Sequence, residues 1–280
     1  MSLRIDSHHH LWQYAEAEFG WIDQDMQVLK RNYLPADIHT ELKQSGLTQS
    51  VAVQARQTVE ETRWLLSLTD NWDFIAGVVG WVPLAAPNVA ETLEEFGSHR
   101  RLVGVRHVLQ DEPDPEYMLQ PDFNRGINAL HRFDLAYDLL VFEDQLPQSL
   151  QFVDRHPNQR IVIDHAAKPK IRQHSFDRWA KYMTAMANRE TTFCKISGMV
   201  TEADHKTWKD GDLTPYLDLL FDVFGPSRLL FGSDWPVCLL ATTYSRWVET
   251  VRAYCSRLSH DEQKWVFGKA AAAAYRLEAA

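Results

Sequence analysis

Three consecutive histidines, His8, His9 and His10, follow Asp6 and Ser7 near the start of the chain. Side chains alternate along an extended strand, so we expect Asp6, His8 and His10 on one face. Two imidazoles on one face can bind one divalent ion, with a carboxylate to complete or orient the set. The spacing therefore predicts a metal site at His8 and His10, and a tag remnant or a chance polar cluster is the alternative.

Two later apolar runs end on ionisable side chains. Residues 160–163 lead to Asp164 and His165, and residues 229–232 lead through one serine to Asp234. The ends of strands are where barrel folds place their catalytic groups. We therefore predict that Asp234 and His165 are catalytic, and a hydrogen-bonded structural role is the alternative for each.

A lysine, Lys195, interrupts the apolar run from 191 to 196. A charge on a buried strand needs a partner, because its desolvation is otherwise costly. Two interpretations stay open. Lys195 either pairs with Asp138 or Asp234, or acts in catalysis by contacting a carbonyl or hydroxyl of the substrate.

Further polar and aromatic side chains occur at the ends of the apolar runs, where a substrate would be held. The predicted substrate contacts are Gln54, Trp81, Arg106, His107 and Asp138. Tryptophan rings commonly pack against the apolar side of sugar rings. Core packing is the alternative for Trp81, and structural pairing is the alternative for Arg106 and His107.

These side chains need elements that bring them to one place. Eight short apolar or β-branched runs are predicted strands. They begin near Leu3, Ser50, Phe74, Leu102, Leu135, Arg160, Thr191 and Arg228. Between them the period becomes helical, as in Val89, Leu93 and Phe96.

Helix starts are also visible in the sequence. Thr58 with Glu61 and Ser259 with Glu262 match the capping box, and Thr214 before Pro215 is typical of an N-cap followed by a first-turn proline. Strands that alternate with helices predict parallel βα units, and eight such units close a barrel. We predict the α/β class and one (β/α)8 TIM barrel domain over residues 1–280, with a C-terminal helix at the alanine run 270–274. An open doubly wound sheet is the alternative, but no G-x-G-x-x-G follows the first strand.

Composition narrows the class of partner. The chain carries 29 Lys and Arg against 38 Asp and Glu, a formal net charge of −9, which disfavours nucleic acid. No apolar run is long enough to cross a bilayer, and no secretory signal is evident, so a cytoplasmic protein is expected. The three cysteines form no C-x-x-C pair and are expected to be reduced. We expect a small-molecule substrate, and a homo-oligomer stays open.

Taken together, the motifs resemble the amidohydrolase superfamily, in its branch of sugar-lactone and pyrone-lactone hydrolases. The matching segments run in consistent order and are residues 5–12, 53–55, 104–107, 163–165, 195–198 and 232–236. The resemblance implies a (β/α)8 barrel in which Asp234 is the general base that activates water. It also implies that His8, His10 and His165 surround the same centre, as metal ligands with Asp234 or as substrate contacts.

Two departures from the family pattern matter. The fifth strand carries no histidine of the kind that binuclear members use, so at most one divalent ion is expected, with Zn²⁺ favoured. Relatives that work without a metal leave open that the ion is dispensable. Ala270 stands where relatives often carry asparagine. The oxyanion of the reaction would be stabilised by the ion if bound, or by His165, Lys195 or Arg106.

The resemblance implies hydrolysis of the ring ester of a sugar-acid lactone, such as L-fucono-1,5-lactone or a related 6-deoxy-aldonolactone. Two other reactions stay open: hydrolysis of a 2-pyrone-4,6-dicarboxylate-type lactone, and metal-dependent decarboxylation. A barrel that binds metal without catalysis is the third alternative.

Overall fold

Eight parallel strands form the centre of the protein in the computed structural model, which describes residues 3–277. They are β1 (Ile5–His9), β2 (Gln49–Val53), β3 (Ile75–Gly80), β4 (Leu102–Val108), β5 (Ala136–Leu140), β6 (Ile161–Ile163), β7 (Thr192–Ile196) and β8 (Leu229–Phe231). Each strand pairs with the next one in sequence. β8 approaches β1 through a bridge between His9 and Trp235, and the N–H of His10 donates to the Trp235 carbonyl at 2.7 Å. The nearly closed barrel confirms the predicted (β/α)8 fold.

Helices connect the strands and pack around the barrel. Within residues 3–277 they are α1 (Pro35–Gln44), α2 (Val59–Leu68), α3 (Val89–Phe96), α4 (Pro121–Leu130), α5 (Leu146–Arg155), α6 (Asp177–Ala187), α7 (Asp210–Val223), α8 (Tyr244–Cys255), α9 (His260–Lys264) and α10 (Ala270–Tyr275). The predicted apolar stripe of α3 is buried: Val89, Leu93 and Phe96 all face the core. In the part of the chain described, none of these helices has the length and apolarity that crossing a bilayer requires.

Two of the three predicted helix starts are confirmed. The side chain of Thr58 accepts the backbone N–H of Glu61, and Ser259 begins α9 with a capping box. The third, at Thr214, is wrong, because α7 begins at Asp210 and Pro215 lies inside it. The carboxylate of Asp212 accepts the backbone N–H of Lys209 at 2.8 Å, which starts the helix about one turn earlier than the proline suggested.

The N-terminal end of the barrel is closed by the last helical segments of the described chain. A π-helix, Trp265–Lys269, leads into α10, whose Ala271 and Ala274 are buried against the strand starts. The side chain of Tyr275, the last residue of α10, lies in the barrel interior, where it is 2% exposed. The predicted C-terminal helix is therefore present and serves as a plug. The opposite end of the barrel, where the strands terminate, is left free for the polar side chains.

Candidate active site

Four side chains converge at the carboxyl end of the barrel. Nε2 of His8 lies 3.2 Å from Nε2 of His10, and Oδ1 of Asp234 lies 3.7 Å from the first and 3.4 Å from the second. Nε2 of His165 lies 3.9 Å from the same carboxylate oxygen. The structure thus brings together the four residues that the sequence predicted as one centre.

Hydrogen bonds behind the rings orient two of these imidazoles. Nδ1 of His10 lies 2.8 Å from the carbonyl of Val53, and since a carbonyl only accepts, that nitrogen carries the ring hydrogen. Nδ1 of His165 lies 2.9 Å from Oγ of Ser197. Both rings consequently present Nε2 to the centre. Burial lowers the pKa of His165 to about 4, against the opposing effect of Asp234, so this ring is neutral at pH 7.

The backbone after β6 is unusual and places His165. Four consecutive residues, His165 to Lys168, have φ between 47° and 56°, a left-handed turn that costs non-glycine residues roughly 1–2 kcal/mol each. The indole of Trp179 holds this turn by donating to the Ala166 carbonyl at 2.7 Å. Gly198 makes room for the His165 ring, because a Cβ there would lie 2.5 Å from Nδ1.

Asp234 also adopts the left-handed conformation, with φ 57°, and its N–H donates to the His8 carbonyl at 2.8 Å. Burial acts to raise the pKa of its carboxyl group, but His165 and His10 more than offset burial, and the pKa lies below its usual value. Asp234 is therefore a carboxylate at neutral pH. It is only 4% exposed, at the floor of the site.

Asp6 does not share a face with His8 and His10, and that prediction is wrong. The register of β1 against β2 shifts between Asp6 and His9, which breaks the alternation. The carboxylate of Asp6 accepts the N–H of Ser233 at 2.8 Å and the hydroxyl of Tyr244, on α8, at 3.0 Å. Asp6 thereby holds the segment before Asp234 from outside the centre.

Lys195 lies beneath the four converging side chains and is fully buried. Its Nζ is 2.5 Å from Oδ2 of Asp138, 2.9 Å from Oδ1 of Asp164 and 3.0 Å from Nδ1 of His8. An ammonium has three N–H groups, and three acceptors surround it. Of the two interpretations of Lys195, the geometry matches the pairing with Asp138.

Two further residues complete this buried cluster, and the sequence analysis gave neither a role. Asp164 accepts a hydrogen bond of 3.0 Å from Nη1 of Arg106. Although burial raises the pKa of Asp164, Lys195 and His8 lower it more, so the group is ionised. The hydroxyl of Tyr275 lies 2.8 Å from each carboxylate oxygen of Asp138. Asp164 could have been found from its position beside His165, whereas no local pattern marks Tyr275.

Arg106 differs from Lys195 because it retains free donors. Nη2 donates to the Gln54 carbonyl at 2.5 Å and Nη1 donates to Asp164, but Nε has no hydrogen-bond partner among the described residues. Arg106 lies on the wall of a cavity of about 880 Å³ that opens above the centre. Its guanidinium can therefore donate to a bound molecule.

The cavity also contacts His10, His165 and Asp234, which form its floor. Its other polar lining was missed by the sequence analysis: Glu18, Arg56, Gln57, Thr58, Gln110, Asp111, Lys168, Thr201, Glu202 and His205. Nearly all of these lie in loops that follow strand ends. Their position after strand ends could have marked these residues as cavity lining, but the loops carry no distinctive spacing of residue types.

Four predicted substrate contacts lie behind the cavity wall, and none is among the described residues that line it. Gln54 is fully buried, as is Asp138 beneath the centre. Nε1 of Trp81 donates to Nδ1 of His107 at 3.3 Å, while Nε2 of His107 lies 2.6 Å from Glu112. Side chains alternate along β4, so Arg106 faces the barrel interior and His107 faces the surrounding helices.

Comparison with known proteins identifies the family of this barrel. The family model described as amidohydrolase matches residues 5–277. The chain belongs to the amidohydrolase family. A protein named L-fucono-1,5-lactonase from Burkholderia multivorans is 42% identical over 290 residues, covering 99% of this chain and 97% of the relative. A second protein of that name, from Burkholderia ambifaria, is 37% identical with the same coverage.

A solved amidohydrolase structure from Burkholderia multivorans, described with bound Zn, superimposes with a TM-score of 0.95 at 43% identity. The superposition covers 99% of this chain and 100% of the solved chain.

The donor atoms of this amidohydrolase fit one divalent ion. Two nitrogens bound to a tetrahedral zinc at about 2.05 Å lie roughly 3.3 Å apart. The spacings between His8, His10 and Asp234 are 3.2, 3.4 and 3.7 Å. A second group, His8 with Asp164 and His165, shares one ligand with the first, and its carboxylate is already paired with Lys195 and Arg106. The residues therefore offer one site for an ion.

Proposed function

We propose that this amidohydrolase hydrolyses the ring ester of a sugar-acid lactone, with L-fucono-1,5-lactone or a related 6-deoxy-aldonolactone as substrate. The observation that carries the proposal is the ionised carboxylate of Asp234 at the floor of a cavity, 3.4 to 3.9 Å from three imidazole nitrogens. Relatives named L-fucono-1,5-lactonase, 42% and 37% identical along nearly the whole chain, support the substrate class.

Each step of ester hydrolysis has a residue to perform it. The Asp234 carboxylate accepts a proton from a water molecule, which attacks the lactone carbonyl. The guanidinium of Arg106, on the cavity wall, donates to the carbonyl oxygen as negative charge develops there. Asp234, now protonated, returns the proton to the ring alkoxide as it departs. Lys195 keeps a positioning role, because its N–H groups face other partners.

A metal ion, with Zn²⁺ favoured, would be held by His8, His10 and Asp234, with His165 beside them. When bound, such an ion would polarise the carbonyl and make water more acidic. Asp234 has a lowered pKa and is a weak base by itself, so this support would matter for the first proton transfer.

The cavity wall favours a neutral polyhydroxylated substrate over a dianion. Among the described residues that line it, four carry carboxylates and three carry permanent cations: Glu18, Asp111, Glu202 and Asp234 against Arg56, Arg106 and Lys168. Arg56 is already paired with Glu18. A dicarboxylated pyrone or the carboxylate substrate of a decarboxylase needs unopposed cations, which this wall supplies sparingly.

A substrate panel tests the proposal. Purified enzyme is mixed with L-fucono-1,5-lactone, with its sugar epimers and with 2-pyrone-4,6-dicarboxylate, and acid release is followed with a pH indicator in weak buffer. We expect the highest kcat/KM for the 6-deoxy-aldonolactone and discrimination among epimers. A pyrone with a higher kcat/KM than every sugar lactone would overturn the assignment, as would release of CO₂ from an aromatic acid.

A further inference from the structure

One pair of charged side chains on the cavity wall has no role in the chemistry above. Lys168 ends the left-handed turn after β6, and Glu202 lies in the loop after β7. Both line the 880 Å³ cavity and also a smaller neighbouring cavity of about 270 Å³. They therefore form part of the partition between the two spaces.

The two side chains are close but do not satisfy each other. Nζ of Lys168 lies 3.9 Å from Oε1 of Glu202, which is beyond hydrogen-bond distance. Within residues 3–277 neither side chain makes a hydrogen bond, and the ammonium packs over the ring of Phe142 at 5.2 Å. Each side chain is only about one-fifth exposed, at 20% and 21%. A donor and an acceptor, both largely withdrawn from water, thus face the cavity with unused capacity.

The pair is also near the reacting centre. Lys168 follows His165 by three residues, and its N–H donates to the His165 carbonyl at 2.8 Å. Lys168 and Glu202 line the same cavity as Asp234, whose carboxylate lies on its floor. A ring held against Asp234 would therefore present its substituents to Lys168 and Glu202.

We propose that Lys168 and Glu202 together bind two neighbouring hydroxyl groups of the substrate, and this rests on the proposed sugar-lactone function. The ammonium donates to one hydroxyl oxygen, and the carboxylate accepts the hydrogen of the next hydroxyl. A donor and an acceptor 3.9 Å apart can each reach one oxygen of a vicinal diol. A substrate that lacks the diol leaves both charges unpaired, so the pair determines specificity rather than the chemical step.

Two variants and two substrates test this. Lys168→Met and Glu202→Gln are compared with the wild type on L-fucono-1,5-lactone and on δ-valerolactone, a six-membered lactone without hydroxyl groups. Hydrogen bonds to charged groups predict a loss of about 10- to 100-fold in kcat/KM for the sugar lactone. The kcat/KM for δ-valerolactone should stay within about twofold, because no diol is present. Unchanged δ-valerolactone turnover also reports that each variant is folded.

Lys170→Met is the matched control. Lys170 lines only the smaller cavity and pairs with Asp144 at 2.6 Å, so neither substrate should be affected. The inference is overturned if the variants lose activity equally on both lactones, or if they match the wild type on the sugar lactone. In either case the wild type still hydrolyses sugar lactones, so the proposed function stands while this inference fails. If the wild type itself fails to hydrolyse any sugar lactone, the proposed function is overturned together with this inference.

Discussion

Nζ of Lys195 lies 3.0 Å from Nδ1 of His8, inside the barrel and away from solvent. Burial, followed by the charge of Lys195, holds the pKa of His8 well below its usual value, so the ring is neutral. An ammonium only donates, so Nδ1 of His8 accepts from Lys195 and the ring hydrogen lies on Nε2, 3.2 Å from Nε2 of His10. A metal ion held at Nε2 would require that hydrogen on Nδ1 instead, where Oδ1 of Asp164, 3.4 Å away, can accept it. Lys195 and Asp164 therefore determine which nitrogen of His8 carries the hydrogen.

Replacing Lys195 should be costly for stability. Lys195→Met leaves Asp138 and Asp164 buried without their shared cation, and breaking a buried pair costs about 3–5 kcal/mol of unfolding free energy. Urea denaturation followed by circular dichroism measures this loss. Lys170→Met removes an ion pair on the surface and should cost at most about 1 kcal/mol. Equal effects of the two substitutions would contradict the assigned role.

The parts of the site that sequence could predict are those fixed by strand alternation. His8 and His10 share a face, and the ends of β6 and β8 bring His165 and Asp234 to them. Alternation failed at Asp6, because the register shift in β1 is set by pairing with β2 and leaves no mark in the local sequence.

Other parts of the site depend on contacts between distant segments. Tyr275 is 137 residues from Asp138 and reaches it only because α10 plugs the barrel. Gln54 and His107 lie at the ends of predicted strands, yet polarity at a strand end does not reveal whether a side chain lines a cavity or packs behind it. His107 packs behind the wall, where its Nδ1 accepts a hydrogen bond from Trp81.

Asp234 should be essential for turnover but not for folding. Asp234→Asn keeps the shape of the side chain and removes the proton acceptor, so kcat should fall by about 10² to 10⁴. Steady-state kinetics on the best lactone measures this, with circular dichroism as the check on folding. Asp111→Asn changes another carboxylate on the same cavity wall and should retain kcat within a few-fold. Wild-type turnover by a folded Asp234→Asn protein would refute the mechanism.

The site should hold at most one divalent ion per chain. His8 belongs to both groups of donor atoms, and the carboxylate of the second group is occupied by Lys195 and Arg106. Elemental analysis of purified protein should therefore find no more than one equivalent. His10→Gln should lower the metal content, whereas His107→Gln should not, because His107 is paired with Glu112 outside the centre. Two equivalents at full occupancy would contradict this prediction.

Activity should be insensitive to pH until the solution is distinctly acidic. The active form has an ionised Asp234 and a neutral His165, and burial lowers the pKa of His165 to about 4. The pKa of Asp234 is also below its usual value, because neighbouring imidazoles outweigh burial. Both groups are active when deprotonated, so kcat/KM should hold from about pH 8 down to pH 5.5 and fall as pH drops through about 4. An acidic limb centred near 6.5, the usual value for histidine, would contradict this. Re-assay at pH 7 after acid exposure separates titration from unfolding.

Tyr275 should stabilise the barrel without taking part in substrate binding. Its hydroxyl lies 2.8 Å from both oxygens of the buried Asp138 carboxylate, and hydrogen bonds to charged groups contribute about 1.5–3 kcal/mol. Tyr275→Phe should lower the unfolding free energy by that amount. Because Asp138 lies behind the cavity wall, kcat/KM should change less than about threefold. Tyr254→Phe is the matched control, since it removes an exposed hydrogen bond of 2.7 Å to Asp218 and should have little effect on stability. A large loss of kcat/KM in Tyr275→Phe with unchanged stability would instead indicate that Asp138 contacts the substrate, as the sequence alone predicted.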